Sequence, residues 1–284
     1  MKRIDRIKLN FTRHWNVPGK ERLLGLFKIS AEQQQRLQGA ITWLVNEDIA
    51  IYVDTGSYIE WSILSAGTYE GDIAKLIQIS LRPGDTALDI GMNIGLQSMR
   101  MARAVGEEGF VLGFEPLEHI REKAYRNLQL NRIKNVRIFP YALSDSAGEA
   151  EFAIDKRSWN QGAFSLDGAA LGTERQNVYI KVGDELSEIQ QLECLRLIKI
   201  DVEGFEFNVL KGLKQTLEKH RPRLLFEFDQ NYWSRSTQDI GVCFSFLNAM
   251  GYTIYQITQV GCELIRHASE MESGNFFCVQ DNEY

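Results

Sequence analysis

The heptapeptide Asp89-Ile-Gly-Met-Asn-Ile-Gly95 follows an apolar run, and an acid, Glu115, stands 20 residues after Gly95 inside Val-Leu-Gly-Phe-Glu-Pro116. Glycines behind a strand let a ligand reach the backbone with no Cβ in the way, and an acid ending the next strand can accept both hydroxyls of a ribose. The pairing points to a ligand that contains adenosine. A dinucleotide fingerprint, G-x-G-x-x-G, needs glycine where the pyrophosphate crosses the turn, and Asn93 holds that place. A G-x-x-x-G loop with Asp89 ahead of it suits a cofactor that has a positive centre and no pyrophosphate, S-adenosylmethionine rather than NAD. Asp89 and the backbone of Gly91 and Gly95 are then the candidates for its methionine end, with Asn93 at the carboxylate. Glu115 is the candidate for the ribose, and Pro116 shapes the turn after it. Ser144 and Asp145 follow the third strand, where Asp145 is placed to accept the adenine amine; Ser-Asp-x-x-Gly equally makes a β-turn.

Lys199-Ile-Asp-Val-Glu-Gly204 is the second dense cluster. Strand alternation sends Lys199 and Asp201 to one side and Ile198, Ile200 and Val202 to the other, so two charges face the same way in a segment otherwise fit for burial. Buried charges are paired or functional. Asp201 is the leading candidate for general base or acceptor anchor, and Glu203 is the second. An ion pair or a helix cap is the structural alternative. Glu227, inside Phe226-Glu-Phe228, completes a group of three acids. A divalent cation held by Asp201, Glu203 and Glu227 is compatible with them, but no fixed ligand spacing calls for one. His267 is an alternative base, and Trp159, Phe164, Tyr232 and Trp233 are candidates for stacking on an acceptor ring.

To position these groups, apolar runs of four to six residues alternate with stretches of helical period, the pattern of a parallel sheet covered by helices on both faces. Core strands are expected at 86–90, 111–115, 136–139, 197–200, 224–228, 252–257 and 276–279. The expected fold is a Rossmann-like α/β sheet of seven strands, mostly parallel, ending in an antiparallel hairpin. Residues 1–80 read as a small cap of a β hairpin plus helices, and 81–284 as the cofactor-binding domain. The polar, Gly-rich stretch 155–176 reads as a binding insertion beside the site.

At 284 residues and 44% hydrophobic, the chain can bury one good-sized core. A net charge of −6 argues against a nucleic-acid backbone as partner. Residues 1–28 nevertheless carry eight Lys or Arg against two acids, a basic start suited to weak contact with an anionic membrane face or to solvent. Cys194, Cys243, Cys262 and Cys278 have no C-x-x-C spacing, so neither zinc nor a disulfide framework is expected. Without an 18-residue apolar run or a signal peptide, a cytoplasmic protein is expected.

Taken together, Leu88-Asp-Ile-Gly-Met-Asn-Ile-Gly95, Gly113-Phe-Glu-Pro116, Asn127-Leu-Gln-Leu-Asn131, Ala142-Leu-Ser-Asp145 with Gly148, and Lys199-Ile-Asp-Val-Glu-Gly204 followed by Val209-Leu-Lys-Gly212 resemble the FkbM family. That family is a branch of the class I S-adenosylmethionine-dependent methyltransferases. The resemblance runs from Tyr69 to about Phe228 and more loosely to Phe277, and it puts Tyr69 and Glu70 on the cofactor side. Met92 stands where the family usually has Ala, a departure that would narrow the pocket floor. The resemblance implies O-methyl transfer to a hydroxyl of a small molecule, a sugar or a polyketide-like product. The competing readings are a methyltransferase for protein or nucleobase, a cofactor-binding module without turnover, and a dehydrogenase. Against the nucleobase reading, Asp201-Val-Glu-Gly204 stands where such enzymes place Asn or Asp before Pro-Pro and an aromatic.

Overall fold

Two short apolar runs pair as an antiparallel hairpin, β1 (Ala40–Trp43) and β2 (Ala50–Val53), followed by helices α1 (Tyr58–Ala66) and α2 (Gly71–Ser80). The fully buried strand β3 (Thr86–Ile90) leads through the glycine loop into α3 (Leu96–Val105). β4 (Phe110–Phe114), α4 (Glu118–Leu130) and β5 (Val136–Phe139) repeat the unit. Next come β6 (Tyr141–Ser144), β7 (Gly148–Ile154), β8 (Glu174–Val182) and the one-turn α5 (Ser187–Gln190). β9 (Leu197–Ile200), α6 (Glu206–Gly212), α7 (Lys214–His220) and β10 (Arg223–Phe228) build the second half of the parallel core. The order closes with α8 (Gln230–Arg235), α9 (Ile240–Ala249), β11 (Tyr252–Thr258), β12 (Gly261–Ile265) and β13 (Gly274–Gln280). This computed structural model describes residues 38–154, 174–235, 239–258 and 260–280. The basic stretch 1–28 and most of the expected insertion, with Trp159, Phe164 and Leu166, lie outside the described residues.

The central sheet has the order β12-β11-β13-β10-β9-β3-β4-β5. β5, β4, β3, β9 and β10 are parallel, whereas β13 runs against both of its neighbours and β12 against β11. This is the expected Rossmann-like sheet with an antiparallel end, but it has eight strands rather than seven. The unexpected one, β12, is exposed at four of its five positions, so it lacks the apolar alternation by which a strand is recognised. It is an edge strand, short and carrying a charge at its centre, Glu263, both of which discourage pairing with other chains. The pieces beside the expected insertion are the two arms of one antiparallel pair, β7 and β8, which with β6 make a separate three-stranded sheet; residues 174–176 belong to β8.

Successive residues of the core strands pack on opposite faces. Leu88, Ile90, Leu112, Phe114, Ile198, Ile200, Leu224 and Phe226 share a cluster with α6, α7 and α9, while Ala87, Val111, Leu197 and Leu225 pack on α2 and α3. The N-terminal hairpin is tied on by polar bonds as well as by apolar contact. Asn131 Oδ1 accepts from Ala50 N (2.8 Å), its Nδ2 donates to Ala50 O (2.7 Å), and Asn127 Oδ1 accepts from Tyr52 N (3.0 Å). These two asparagines, one in α4 and one capping its end, act as a partner strand for the free edge of β2. Among the described residues, no helix is long and apolar enough to cross a membrane.

In the turn of that hairpin, Glu47 takes both arms of the buried Arg100 guanidinium, at 2.7 and 2.6 Å, and Arg100 Nη1 also donates to the Tyr69 carbonyl (2.9 Å). One side chain thus joins hairpin, α3 and the approach to α2. Arg100→Leu should lower stability by about 2–3 kcal/mol, because Glu47 and the Tyr69 carbonyl lose their donor together. Urea denaturation of the two proteins reads this directly, and a difference under 0.5 kcal/mol, roughly the scatter of a surface change, would refute the clamp.

Candidate functional site

All five parallel strands point their carboxyl ends to one edge, so the loops after β3, β4, β9 and β10 converge there, the usual place for a ligand crevice in an open α/β sheet. A cavity of about 280 Å³ opens at this edge. Phe114, Leu143, Phe152, Ile180 and Val202 give it apolar walls, and Glu115, Ser144, Asp145, Asp201, Glu203 and Asn208 supply its polar groups.

The glycine loop is held close to the neighbouring strand end. Gly91 has φ +78°, and a Cβ there would fall 1.9 Å from the Asp201 carbonyl oxygen. No other residue fits. Asp201 N–H meanwhile donates to Ile90 O (2.9 Å), extending the β3–β9 pairing into the loops. Three non-glycine residues around the edge, Glu70, Asn93 and Glu203, also take the left-handed backbone, at φ +49°, +49° and +50°. Each costs roughly 1–3 kcal/mol, which the surrounding bonds must outweigh.

Those bonds centre on two buried carboxylates. Glu115, only 2% exposed, accepts from Asn93 N (3.1 Å) and Leu117 N (3.0 Å), so it holds the glycine loop and its own turn. Burial outweighs these two donors and pushes its pKa up to about 7. Glu206, which the sequence reading passed over, is 1% exposed and holds the other loop. It accepts from Val202 N (3.1 Å), Gly204 N (3.0 Å) and Trp233 Nε1 (2.7 Å), and burial lifts it too to about 7. Its signal in the sequence is an acid flanked by Phe205 and Phe207, where a solvated helix face would be polar on both sides.

On the face covered by α2 and α3, alternation produces a polar seam. Lys199 Nζ lies 3.0 Å from Asp201 Oδ2 and 4.0 Å from Asp89 Oδ1. Burial alone would lower the Lys199 pKa, but Asp201, Asp89 and Glu70 outweigh it and hold the ammonium charged well above its usual range. Asp89 has no exposed surface, and its Oδ2 accepts from Ser98 Oγ (2.5 Å). Asp89 therefore lies beneath the loop, not at the cavity wall, and acts on Lys199 and Ser98. Gln97 Nε2 donates to Glu70 Oε2 (2.7 Å) at the start of α2. Glu227 ends the seam on β10; burial, then Asp201, Glu206 and Glu70, push it up to about 8. Tyr69 is partly buried, and that desolvation, followed by the charges of Glu70, Asp201 and Glu227, raises it far above an ordinary phenol.

At the far wall, Asp145 accepts from Asn208 Nδ2 (2.8 Å) and Ser144 Oγ (3.2 Å) and pairs with Lys211. Against its partial burial, these partners hold its carboxyl below the usual range. Asn208 Oδ1, buried at the cavity wall, accepts no hydrogen bond. An acceptor without a donor next to a carboxylate is what an incoming amine would satisfy.

Several expected members stand elsewhere. Asn93 turns its Oδ1 onto Ile94 N (2.8 Å), and Gly95 packs against Ala124 and Met92 at the start of α3, so both shape the loop from outside the cavity. Met92 lies over Gly113, where a Cβ would meet its sulfur at 2.5 Å; the missing Gly113 side chain accommodates the larger residue. His267 is exposed, does not line the cavity, and its N–H points to Glu270 Oε2 (3.4 Å). It does not join the acids. Asp201, Glu203 and Glu227 do not form a ligand set either: among the described residues, no group of three His, Cys, Asp or Glu is arranged to hold a metal ion, and Asp201 instead pairs with an ammonium. Trp233 is buried as the donor to Glu206 and is not available for stacking.

A family model described as "Methyltransferase FkbM domain" matches residues 89–254, more than half of the chain. "Methyltransferase 1" of Beauveria bassiana is 25% identical over 187 residues, 60% of this chain and 74% of that protein. "Methyltransferase sdnD" of Sordaria araneosa is 30% identical over 156 residues, covering 45% of this chain and 60% of that one. "Hexuronic acid methyltransferase AglP" of Haloferax volcanii is 28% identical over 152 residues, 52% and 58% respectively. The solved methyltransferase FkbM of Methylobacillus flagellatus KT superposes with a TM-score of 0.45 at 14% identity, over 78% of this chain and 52% of that one.

The raised carboxylates make stability fall with pH. Glu115, Glu206 and Glu227 keep their protons up to about 7, 7 and 8 in the fold, against an ordinary value of 4.5. Stabilisation from proton uptake is therefore complete below 4.5 and is lost as pH rises through those folded values. Melting temperature should drop between pH 5 and 8.5, and Glu206→Gln should flatten that drop. A Glu206→Gln profile parallel to the wild type would show that this carboxyl is ordinary.

Proposed function

Because the chain belongs to the FkbM-domain methyltransferase family, we propose that it moves a methyl group from S-adenosylmethionine to a hydroxyl of a small, uncharged acceptor. The observation that carries this reading is the carboxyl-edge cavity, where the buried acid Glu115 and the Asp201 end of the charged seam meet across a glycine with no room for a side chain. The donor set suits the cofactor. The apolar walls take an adenine, Asp145 with the unpartnered Asn208 Oδ1 takes its amine, and Glu115 takes the ribose hydroxyls. The bound cofactor supplies a methyl group on a positively charged sulfur.

The remaining work belongs to the chain: alignment of the acceptor and removal of its proton. Asp201, at the cavity and fixed by Lys199, orients the acceptor hydroxyl. Glu227, raised to about 8, has the proton affinity of a base matched to neutral pH, whereas Asp201 is held in the ion pair with Lys199. Among the described residues the cavity is lined by Glu115, Asp145, Asp201 and Glu203 and by no Lys or Arg, so an anionic acceptor meets repulsion there. The Haloferax volcanii relative is named for a hexuronic acid. Here the charge balance favours a neutral sugar or a polyketide-like alcohol over a free carboxylate.

Calorimetry with S-adenosylhomocysteine tests the cofactor half. The wild type should bind it and not NAD, more tightly as pH rises through about 7 and Glu115 ionises, and Glu115→Gln should lose most of that affinity; preference for NAD would overturn the proposal. In acceptor screens, Glu227→Gln should cut kcat by about 10²–10⁴-fold and remove the acidic limb, the rise in kcat as pH climbs through about 8. An unchanged pH profile would assign the proton to another group.

A further inference from the structure

Methyl transfer as set out above gives Asp89 no task, although it is wholly buried on β3. Its two oxygens are treated unequally. Oδ2 accepts from Ser98 Oγ (2.5 Å), whereas Oδ1 has no hydrogen-bond partner among the described residues. Buried carboxylate oxygens are normally satisfied, and a bare one is costly. Asp89 does not line the carboxyl-edge cavity, so a ligand held there does not complete it directly.

The group placed to complete it is on the next strand. Lys199 stands beside Asp89 in the β3–β9 register, with Nζ 4.0 Å from Asp89 Oδ1 and 3.0 Å from Asp201 Oδ2. An ammonium has three donors, and the bond to Asp201 uses one. A shift of about 1 Å, well within the freedom of a four-carbon stem, brings Nζ into hydrogen-bond range of Oδ1. Two carboxylates therefore compete for one ammonium, which Asp201, Asp89 and Glu70 keep charged against its burial. They differ in access: Asp201 lines the cavity, and Asp89 lies behind it. A positive charge entering the cavity meets Asp201 and repels the ammonium already there.

We infer that Asp89 is a positioning residue, the second seat of the Lys199 ammonium. Lys199 holds Asp201 while the cavity lacks a cation, and it closes on Asp89 Oδ1 when a cationic centre arrives beside Asp201. The inference rests on the methyl-transfer reading, in which the donor is a sulfonium and the product, S-adenosylhomocysteine, is neutral at that sulfur. The shift frees Asp201 Oδ2 for the acceptor hydroxyl only while the charged donor is present. Loss of that charge lets the ammonium return.

Proton-detected ¹⁵N spectra of the lysine ammonium groups test this, with the Lys199 signal assigned by its loss in Lys199→Arg. Sinefungin, which carries a primary ammonium in place of the methylated sulfonium, is the cationic probe, and S-adenosylhomocysteine is the neutral one. Sinefungin should move the Lys199 signal in the wild type, S-adenosylhomocysteine should leave it in place, and near-isosteric Asp89→Asn should abolish the sinefungin shift. In calorimetry, Asp89→Asn should weaken sinefungin tenfold or more and S-adenosylhomocysteine less than threefold. Lys199→Gln should cancel the difference, because no ammonium is left to seat. A stationary signal in sinefungin-bound wild type would overturn the inference without any variant. So would a shift that persists in Asp89→Asn, or equal loss of both ligands there, which would make Asp89 a cofactor contact or a brace of the fold. If neither ligand bound the wild type, the methyl-transfer reading would fall and this inference with it; binding with a stationary signal would remove the inference alone.

Discussion

The organisation of the carboxyl edge depends on one buried ammonium. Lys199 is 7% exposed in the middle of a parallel sheet, where an uncompensated charge would be strongly destabilising. Its compensation comes from neighbours on both sides: Asp201 two residues along β9 and Asp89 across the β3 pairing. These partners in turn require their own support, which Ser98 supplies from α3 to Asp89. Once that ammonium is in place, the edge can hold further carboxylates close together. Burial, and after it their mutual repulsion, then raises the proton affinity of Glu227.

The loops around this seam take conformations that their residue types disfavour, and each is held by a buried acid that accepts backbone N–H groups. Glu115 braces the loop containing Asn93, and Glu206 braces the loop containing Glu203. The apparent ligand-binding role of an acid and its scaffold role are therefore joined. Glu115 organises its turn through one lone pair on each oxygen and still has a second on each for the cavity that it lines. The far loop, at Glu70, is reached through Arg100, whose contacts run back to the N-terminal hairpin. The hairpin is distant in sequence from the site but contributes to its geometry through that guanidinium.

The two ends of the sheet differ in charge for a topological reason. Parallel strands all begin at one edge and end at the other, so residues preceding strands collect at one end and residues following them at the opposite one. Here acids end or follow β3, β4, β9 and β10 (Asp89, Glu115, Asp201 and Glu227), and arginines precede or open β3, β9 and β10 (Arg82, Arg196 and Arg223). A carboxylate-rich crevice and an arginine-lined cavity result from the same strand order.

Much of this was legible in the residues. Apolar runs with flanking helical periods identified the parallel core strands, and alternation at Lys199 and Asp201 put both charges on one face, where they form an ion pair. β12 escaped because an exposed edge strand has no buried face to impose a pattern. Asn127 and Asn131 read as motif residues, but their bonding of the β2 edge depends on where α4 packs. Glu206 goes unremarked in the sequence because its partners, Trp233 and the Val202 and Gly204 N–H groups, are gathered around it only by the fold. His267 and a three-acid metal set were reasonable by residue type; in the fold His267 is exposed and does not line the cavity, and Asp201 pairs with Lys199. By itself, the sequence determined the sheet, the glycine loop and the identity of the charged seam, because periodicity and spacing are local properties of a chain. Tertiary structure alone decided which acids are buried, which hold loops and which face a cavity, because burial and partner choice depend on residues far apart in sequence.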